Sequence, residues 1–317
     1  MRKIQYLLIL GIVVGVSWFS KSLWDFSCRE GFLRIPIVFP FADKEPHIFV
    51  NVNRQSQLFL LDTGGGVPVF LKEEHLKEIK KKKLVSPEEW YDAKGVKHSS
   101  EKYKLIDSVD IGKKLKLREV SVCVDEWSDG ALVNYSLESL EEDRKVWRQR
   151  AGKVGAEIIR AMPSCLIDFS KSNLFAVRDL KKFQNKTGYS FSDFIEVLLE
   201  ENYPHLVISV ETDFGIKKFA LDTGASRTFL RQPSEENYDF QLVKSQKFAI
   251  GARDFGPEEL FLFSLNKNLE FDGVLGIEFF YKHVVYLDFV NNKALIGPTI
   301  TKSLGSNPAR SSEHEHK

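Results

Sequence analysis

Short stretches of alternating apolar and polar residues make up most of the chain and are separated by Gly and Asn turns, as at residues 105–111 and 120–124. A period of two is typical of half-buried β-strands. Helical patterns are few: residues 192–201 (SDFIEVLLEE) have the spacing of a short amphipathic helix capped by Ser192, and residues 139–142 (SLEE) have the form of a capping box. The pattern therefore predicts a mainly β chain with few helices.

The N-terminal segment, residues 1–27, has a different pattern. Arg2 and Lys3 precede an apolar run at residues 4–19, interrupted only by Gln5 and Ser17, and no Ala-x-Ala cleavage site follows. A basic start before an apolar stretch is typical of a signal anchor or a signal peptide. We therefore expect one N-terminal apolar helix that anchors a single-pass protein in a membrane. The positive-inside rule then places the remainder outside the cytoplasm; the alternative is secretion after cleavage of a signal peptide.

Four short blocks occur twice, in the same order, and this favours an internal duplication. Residues 45–48 (EPHI), 60–64 (LLDTG), 154–157 (VGAE) and 166–169 (LIDF) are matched by residues 203–206 (YPHL), 220–224 (ALDTG), 275–278 (LGIE) and 286–289 (YLDF). We call residues 32–180 the first copy and residues 202–298 the second copy. Residues 181–201 then form a connector that contains the short helix, and residues 299–317 form a tail that we expect to be disordered.

Composition narrows the range of functions. The 317 residues carry 45 Lys and Arg against 44 Asp and Glu, a formal charge of +1 at pH 7. Such a balance gives no reason to expect a nucleic-acid partner. Three cysteines are too few for a disulfide scaffold and lack the paired spacing of a zinc site, so we expect neither a metal ion nor a cofactor.

Each copy has an Asp-Thr-Gly motif directly after a short apolar strand, at Asp62-Thr63-Gly64 and at Asp222-Thr223-Gly224. Gly permits a sharp turn and close approach of another backbone, and the Thr hydroxyl can hydrogen-bond the loop. If the copies pack about a pseudo-twofold axis, Asp62 and Asp222 meet at that axis. Two carboxyl groups held so closely share a proton, and their pKa values separate. Such a pair can activate water and polarise a carbonyl group.

These motifs resemble those of the aspartic peptidase superfamily, which includes the pepsin-like and retropepsin-like enzymes. The resemblance covers roughly residues 45–298 and is carried by the two Asp-Thr-Gly motifs together with Val154-Gly155 and Leu275-Gly276. The second copy matches the family more closely than the first, in which Lys153 stands where an apolar residue is expected.

The resemblance implies a bilobal, mostly antiparallel β fold with the substrate cleft between the lobes. Thr63 and Thr223 would form a hydrogen-bonded grip across the lobes beneath the Asp62/Asp222 dyad. Residues 90–96 would form a flap over the substrate, with Tyr91 and Gly95 as its candidate substrate-binding residues.

The implied activity is that of a membrane-anchored aspartic endopeptidase that cleaves protein or peptide substrates with a water nucleophile. One chain supplies both halves, so we expect a monomer. Pepsin-like enzymes carry Ser or Thr after the motif, whereas this chain has Gly65 and Ala225. Without that hydroxyl donor the dyad should be less acidic and should work at mildly acidic to neutral pH. The alternative is a bilobal peptide-binding or scaffolding module with little or no turnover; a carboxylate-pair glycosidase would need its two acids on unrelated loops.

Overall fold

A computed structural model describes residues 24–25, 30–40, 45–66, 68–91, 97–106, 108–111, 115–124, 145, 148–200, 205–232 and 241–299. Strands predominate in these ranges, so the prediction of a mainly β fold is confirmed. The apolar run at residues 4–19, the capping box at residues 139–142 and residues 300–317 of the tail lie outside them. Within them, no helix has the length and apolar character needed to cross a membrane.

The first copy supplies most of one large sheet. Its elements up to residue 160, with β1 ahead of it, are β1 (Trp24–Asp25), β2 (Phe32–Val38), β3 (His47–Val52), β4 (Gln55–Asp62), β5 (Val69–Leu71), α1 (Glu73–Leu76), β6 (Lys81–Lys83), β7 (Glu88–Tyr91), β8 (Lys97–Ser100), β9 (Lys102–Leu105), β10 (Val109–Ile111), β11 (Leu115–Leu117), β12 (Ser121–Val124), β13 (Gly152–Gly155) and α2 (Ala156–Arg160). Strands β7 and β8 pair only with each other among the described residues and form a separate hairpin.

The second copy forms its own eight-stranded sheet, in the order β20-β23-β19-β24-β18-β17-β21-β22. These strands are β17 (Val207–Thr212), β18 (Gly215–Leu221), β19 (Phe229–Arg231), β20 (Gln241–Ser245), β21 (Phe248–Ile250), β22 (Arg253–Asp254), β23 (Glu258–Phe263) and β24 (Gly273–Leu275). Helix α4 (Ile277–Lys282) follows β24 as α2 follows β13.

Strands from both copies join in one antiparallel arrangement. The remaining elements are β14 (Ser164–Asp168), a 3-10 turn at Phe169–Lys171, β15 (Asn173–Val177), α3 (Leu180–Thr187), β16 (Ile195–Leu198), β25 (His283–Asp288) and β26 (Lys293–Pro298). The order is β16-β26-β25-β14-β15-β2, and β14 of the first copy pairs with β25 of the second, with Leu166 opposite Tyr286. The two copies are therefore linked by continuous backbone hydrogen bonding at the centre of this sheet.

The strand pairings around the two Asp-Thr-Gly motifs are the same. In the first copy β4 lies between antiparallel β3 and parallel β13, and β5 pairs with β13 and with β12. In the second copy β18 lies between antiparallel β17 and parallel β24, and β19 pairs with β24 and with β23. This common topology matches the repeat in the sequence.

One of the four sequence matches is wrong by two residues. Leu61 N donates to Pro46 O (2.8 Å) and Leu221 N donates to Leu206 O (2.7 Å), so Pro46 corresponds to Leu206 and not to Pro204. The same registration follows from the spacing of the two aspartates, 222 − 62 = 160, whereas the Pro-His match has a spacing of 204 − 46 = 158. The shared Pro-His dipeptide is therefore a coincidence, and the true counterpart of His205 is Glu45.

The predicted helix at residues 192–201 is also wrong. Residues 195–198 form β16 and pair with β26, with Ile195 opposite Ile296. In the order β16-β26-β25-β14-β15-β2, strand β16 lies next to β26. The backbone groups along this edge of β26 supply hydrogen-bond partners that favour a strand. The helix near the connector lies earlier in the chain and is α3. The Asp179 side chain caps its start by accepting a hydrogen bond from Lys182 N, and Gly188 (φ 74°) ends the helix.

The expected strand at residues 105–111 is divided in two. Strand β9 ends at Leu105 and pairs with β12, whereas β10 begins at Val109 and pairs with β3 and β11. Leu105, Val109 and Ile111 are all buried, so the apolar alternation was a sound indication of burial. The alternation does not reveal that the chain changes its pairing partner between the two segments.

Candidate active site

Each aspartate of the two motifs stands at the end of a buried strand. Leu61 and Leu221, which precede the aspartates, are almost fully buried, while Asp62 and Asp222 are half-buried. Asp62 lies opposite Gly155 in the parallel pairing of β4 with β13, and Asp222 N donates to Leu275 O (3.0 Å). Apolar side chains on both sides of a central strand fix its position, so each aspartate is presented from a rigid support.

The two threonines form a reciprocal set of hydrogen bonds between the copies. Thr63 N donates to Thr223 Oγ1 (3.1 Å), and Thr223 N donates to Thr63 Oγ1 (2.9 Å). Each hydroxyl also donates across the copies, Thr63 Oγ1 to Leu221 O (2.8 Å) and Thr223 Oγ1 to Leu61 O (2.5 Å). Both threonines are at most 1% exposed. We call these four hydrogen bonds the threonine grip; they lock the two loops together beneath the aspartates.

Glycine in both motifs allows each loop to approach the carboxyl group of the other copy. Gly64 N donates to Asp222 Oδ1 (3.1 Å), and Gly224 N donates to the same oxygen (2.8 Å). A Cβ on Gly64 would lie 2.2 Å from Asp222 Cγ, and a Cβ on Gly224 would lie 2.6 Å from Asp62 Oδ1. Any side chain at either position would therefore force the loops apart.

The environment makes the two carboxyl groups unequal. Burial of its carboxyl group raises the pKa of Asp222 to about 8, and the charge of Asp62 and the hydrogen bond between the two side chains act in the same direction. The N–H groups of Gly224 and Gly64 oppose the shift in part. At neutral pH the pair therefore holds a proton on Asp222. A neutral acid beside a second carboxyl group is a combination suited to general acid–base chemistry.

The loop that follows each aspartate is hydrogen-bonded to the first residue of helix α2 or α4. Ala156 N donates to Gly65 O (2.8 Å), and the equivalent Ile277 N donates to Ala225 O (2.8 Å). A Cβ on Gly276 would lie 2.2 Å from Arg227 O, so only glycine fits at this crossing. Lys153, the polar exception in the first copy, places its ammonium group 5.5 Å from the centre of the Phe70 ring. This cation–π contact accommodates a lysine where an apolar residue was expected.

Of the predicted flap at residues 90–96, only residues 90–91 are described, and they belong to strand β7 of the β7–β8 hairpin. Its strands pair from Glu88 opposite Ser100 to Tyr91 opposite Lys97, and Lys97 forms an ion pair with Glu89 (2.8 Å). Tyr91 is the last residue of β7, and Gly95 lies outside the described residues. The roles of these two residues in binding stay predictions.

Sequence reasoning missed a pair of side chains beside each motif, because the Pro-His match hid the equivalence. In the first copy Glu45 pairs with Arg150 (Oε2–Nη1 3.4 Å). In the second copy the rings of His205 and Phe271 meet edge to face at 5.0 Å. Gly152 lies opposite Phe59 and Gly273 opposite Phe219, so Arg150 and Phe271 also occupy equivalent positions. The spacing of 160 residues between the motifs was the signal that could have matched His205 to Glu45, whereas Arg150 and Phe271 are 121 residues apart and are matched only by the strand pairing.

The described residues contain no group of three His, Cys, Asp or Glu side chains that could hold a metal ion.

Models of known protein families do not match the chain, and no curated protein matches its sequence. The assignment of a function therefore rests on the geometry of the two motifs.

Proposed function

We propose that the chain is an aspartic endopeptidase of the pepsin-like, bilobal type, with Asp62 and Asp222 as its catalytic dyad. The observation that supports this best is the threonine grip, which joins two Asp-Thr-Gly loops at equivalent positions of a repeated topology. A chance Asp-Thr-Gly turn has no reason to meet a second one through reciprocal hydrogen bonds.

In the proposed reaction the two aspartates have different roles. Asp62, in its ionised form, accepts a proton from the water that attacks the scissile carbonyl carbon. Asp222, which holds a proton at neutral pH, donates it to the carbonyl oxygen, giving a neutral tetrahedral diol. Collapse of the diol breaks the C–N bond: Asp62 gives its proton to the leaving nitrogen, and Asp222 takes a proton from one diol hydroxyl, which becomes the carbonyl oxygen of the new acid. The N–H groups of Gly64 and Gly224 stabilise the Asp222 carboxylate that forms after it has donated its proton.

The remaining features belong to the same proposal. Each copy would form one lobe, the β7–β8 hairpin would cover the bound peptide, and protein or peptide substrates would lie between the lobes. The apolar run at residues 4–19 would anchor the enzyme with its catalytic part outside the cytoplasm, while Trp24 and Asp25 pair with β11 of the first copy. Recovery of the chain in the membrane fraction after an alkaline wash is the measurement that checks the anchor; release into the wash would contradict it.

The proposal is tested by exposing the full-length chain in detergent micelles to a peptide library. We expect cleavage by the wild type and a loss of at least about 10³-fold in kcat with either Asp62→Asn or Asp222→Asn, since each substitution removes one partner of the proton transfer. Asp193→Asn changes an exposed aspartate and serves as the matched control. Cleavage that survives in both dyad variants would refute the dyad. Binding of peptides without cleavage by the wild type would favour the peptide-binding module instead.

A further inference from the structure

We infer that His205, which lies between Phe271 of its own copy and the Asp62 loop of the other copy, is a positioning residue whose imidazolium form keeps Asp62 ionised as the pH falls. This inference rests on the proposed function and adds a residue to the same site. It concerns the position of the second copy that corresponds to Glu45.

The backbone of His205 is fixed beside the dyad from both copies. The next residue, Leu206, accepts a hydrogen bond from Leu221 N (2.7 Å), so the antiparallel pairing of β17 with β18, continued by two residues beyond Val207, places His205 opposite Asp222. The carbonyl oxygen of His205 accepts a hydrogen bond from Arg160 Nη2 of helix α2 in the first copy. His205 therefore spans the junction between the copies.

The ring of His205 is held against an aromatic face and has an unused nitrogen. It meets Phe271 edge to face, with 5.0 Å between the ring centres and 73° between the planes. Its Nδ1 atom is buried and has no hydrogen-bond partner in the described part of the chain. A buried polar atom without a partner is costly, and such groups are concentrated where function requires them.

The charged groups that face the ring are Asp62 and Arg160, and the backbone of Gly64 also interacts with it. Burial lowers the pKa of His205, while the negative charge of Asp62 raises it and the positive charge of Arg160 lowers it. His205 is therefore neutral at neutral pH and gains its proton in acid. Because coupling between two sites is reciprocal, a proton on His205 favours the ionised form of Asp62 to the same extent.

The counterpart pair cannot act in this way. Glu45, the equivalent of His205, is an acid that is paired with Arg150, so protonation gives it no positive charge with which to favour an ionised aspartate. The histidine of the second copy consequently biases Asp62, and not Asp222, toward the role of base.

A direct test measures the titration of His205 by NMR in the full-length chain with labelled histidines, the signal being assigned by its loss in His205→Gln. We expect the pKa of His205 to fall by about half a unit to one unit in Asp62→Asn, because the negative charge is gone. The half-buried His283, which packs on Phe279 and Phe255, serves as the internal control, and its pKa should not change. An unchanged pKa of His205 would overturn the inference, and this measurement needs no turnover.

The second measurement is the pH profile of kcat/KM for His205→Phe, which retains the packing on Phe271 but removes both ring nitrogens. We expect the acid limb to move to higher pH by the same fraction of a unit as in the NMR experiment, with KM at the optimum changed less than twofold. His75→Gln, at a half-buried histidine bonded to Gln57, is the control. An acid limb that stays in place would overturn the inference. Absence of cleavage by the wild type would refute the proposed function. The change in the pKa of His205 in Asp62→Asn would still test the interaction between His205 and Asp62.

Discussion

The two copies build the same loop and surround it with different chemistry. In both copies a buried leucine precedes the Asp-Thr-Gly motif, and the threonine grip contains the same hydrogen bonds in each direction. Beside the loop, however, the first copy has the Glu45–Arg150 ion pair, and the second has the aromatic pair of His205 and Phe271. Backbone symmetry therefore positions the two carboxyl groups, whereas the side chains that flank the two loops differ in charge and in aromatic character.

The hydrogen bonds that the two carboxyl groups accept also differ between the copies. Asp222 Oδ1 accepts from two N–H groups, Gly64 of the other copy and Gly224 of its own. Asp62 Oδ1 accepts from Gly65 (3.0 Å), in its own copy. Despite its two donors, Asp222 has the raised pKa, because burial and the charge of Asp62 outweigh them. Burial is therefore the largest cause of the raised pKa of Asp222.

The largest effect should come from breaking the part that is symmetric. Thr63→Val and Thr223→Val each delete a hydroxyl at nearly constant volume and leave a buried N–H and a buried C=O of the other copy without partners. We expect each to lower the free energy of unfolding by about 2–4 kcal/mol. The measurement is urea denaturation of the full-length chain.

The serine variants are the matched controls for this prediction. Thr63→Ser and Thr223→Ser retain the hydroxyl and should cost less than half as much as the valine variants. If only one of the two valine variants is destabilised, the grip is not reciprocal in solution, and the equivalence of the copies at this point is lost.

A smaller effect should follow from the pKa of Asp222. Its pKa is about 8 in the folded chain and near 4 when unfolded, so between these values the folded state binds more protons than the unfolded state. Stability contributed by this proton is present in acid and is lost as the pH rises toward 8. Asp222→Asn removes the dependence while its amide oxygen can still accept from Gly64 and Gly224. We expect it to raise the free energy of unfolding at pH 7.5 by on the order of 1–2 kcal/mol.

Denaturation at pH 5 and pH 7.5 checks this prediction, with Asp193→Asn as the control. The wild type should lose stability over this interval and Asp222→Asn should lose less. Equal losses in the two proteins would mean that Asp222 does not hold the proton, and the difference between the copies would have to be sought elsewhere.

Much of the fold could be predicted from local sequence pattern. Apolar alternation identified strands such as β12, and the repeat identified β4 with β18 and β13 with β24 as equivalent. The failure at residues 195–198 has a different cause. The segment has a helical pattern, but the free edge of β26 offers backbone hydrogen bonds that only a strand can use. Such tertiary competition is invisible in a short window of sequence.

The site was predictable in its centre and not in its surroundings. The structure brings together the residues of both Asp-Thr-Gly motifs, because those motifs prescribe a turn and a hydrogen-bond donor. The flanking side chains could not be found in the same way. Arg150 and Phe271 share no chemistry, so their equivalence becomes visible only through the pairing of β13 with β4 and of β24 with β18.

The smallest effect concerns the residue that follows each motif, Gly65 in the first copy and Ala225 in the second. Ala225→Ser would supply a hydroxyl near Asp222, whose main-chain oxygen already accepts from Ala225 N (3.3 Å). A hydroxyl that donates to the ionised carboxylate lowers its pKa, and a bond of about 1.4 kcal/mol corresponds to about one pH unit. Because the proposed reaction needs Asp222 protonated, activity is lost as the pH rises through its pKa. We therefore expect the alkaline limb of kcat/KM in Ala225→Ser to move to lower pH by up to about one unit.

Gly65→Ser is the comparison variant for this prediction. Its Cβ would lie 3.3 Å from Asp62 Oδ2, so the new hydroxyl acts on the other carboxyl group and should move the alkaline limb less. Equal shifts in both variants would show that the two carboxyl groups titrate as one unit, and a shift to higher pH would contradict the assignment of the acid to Asp222.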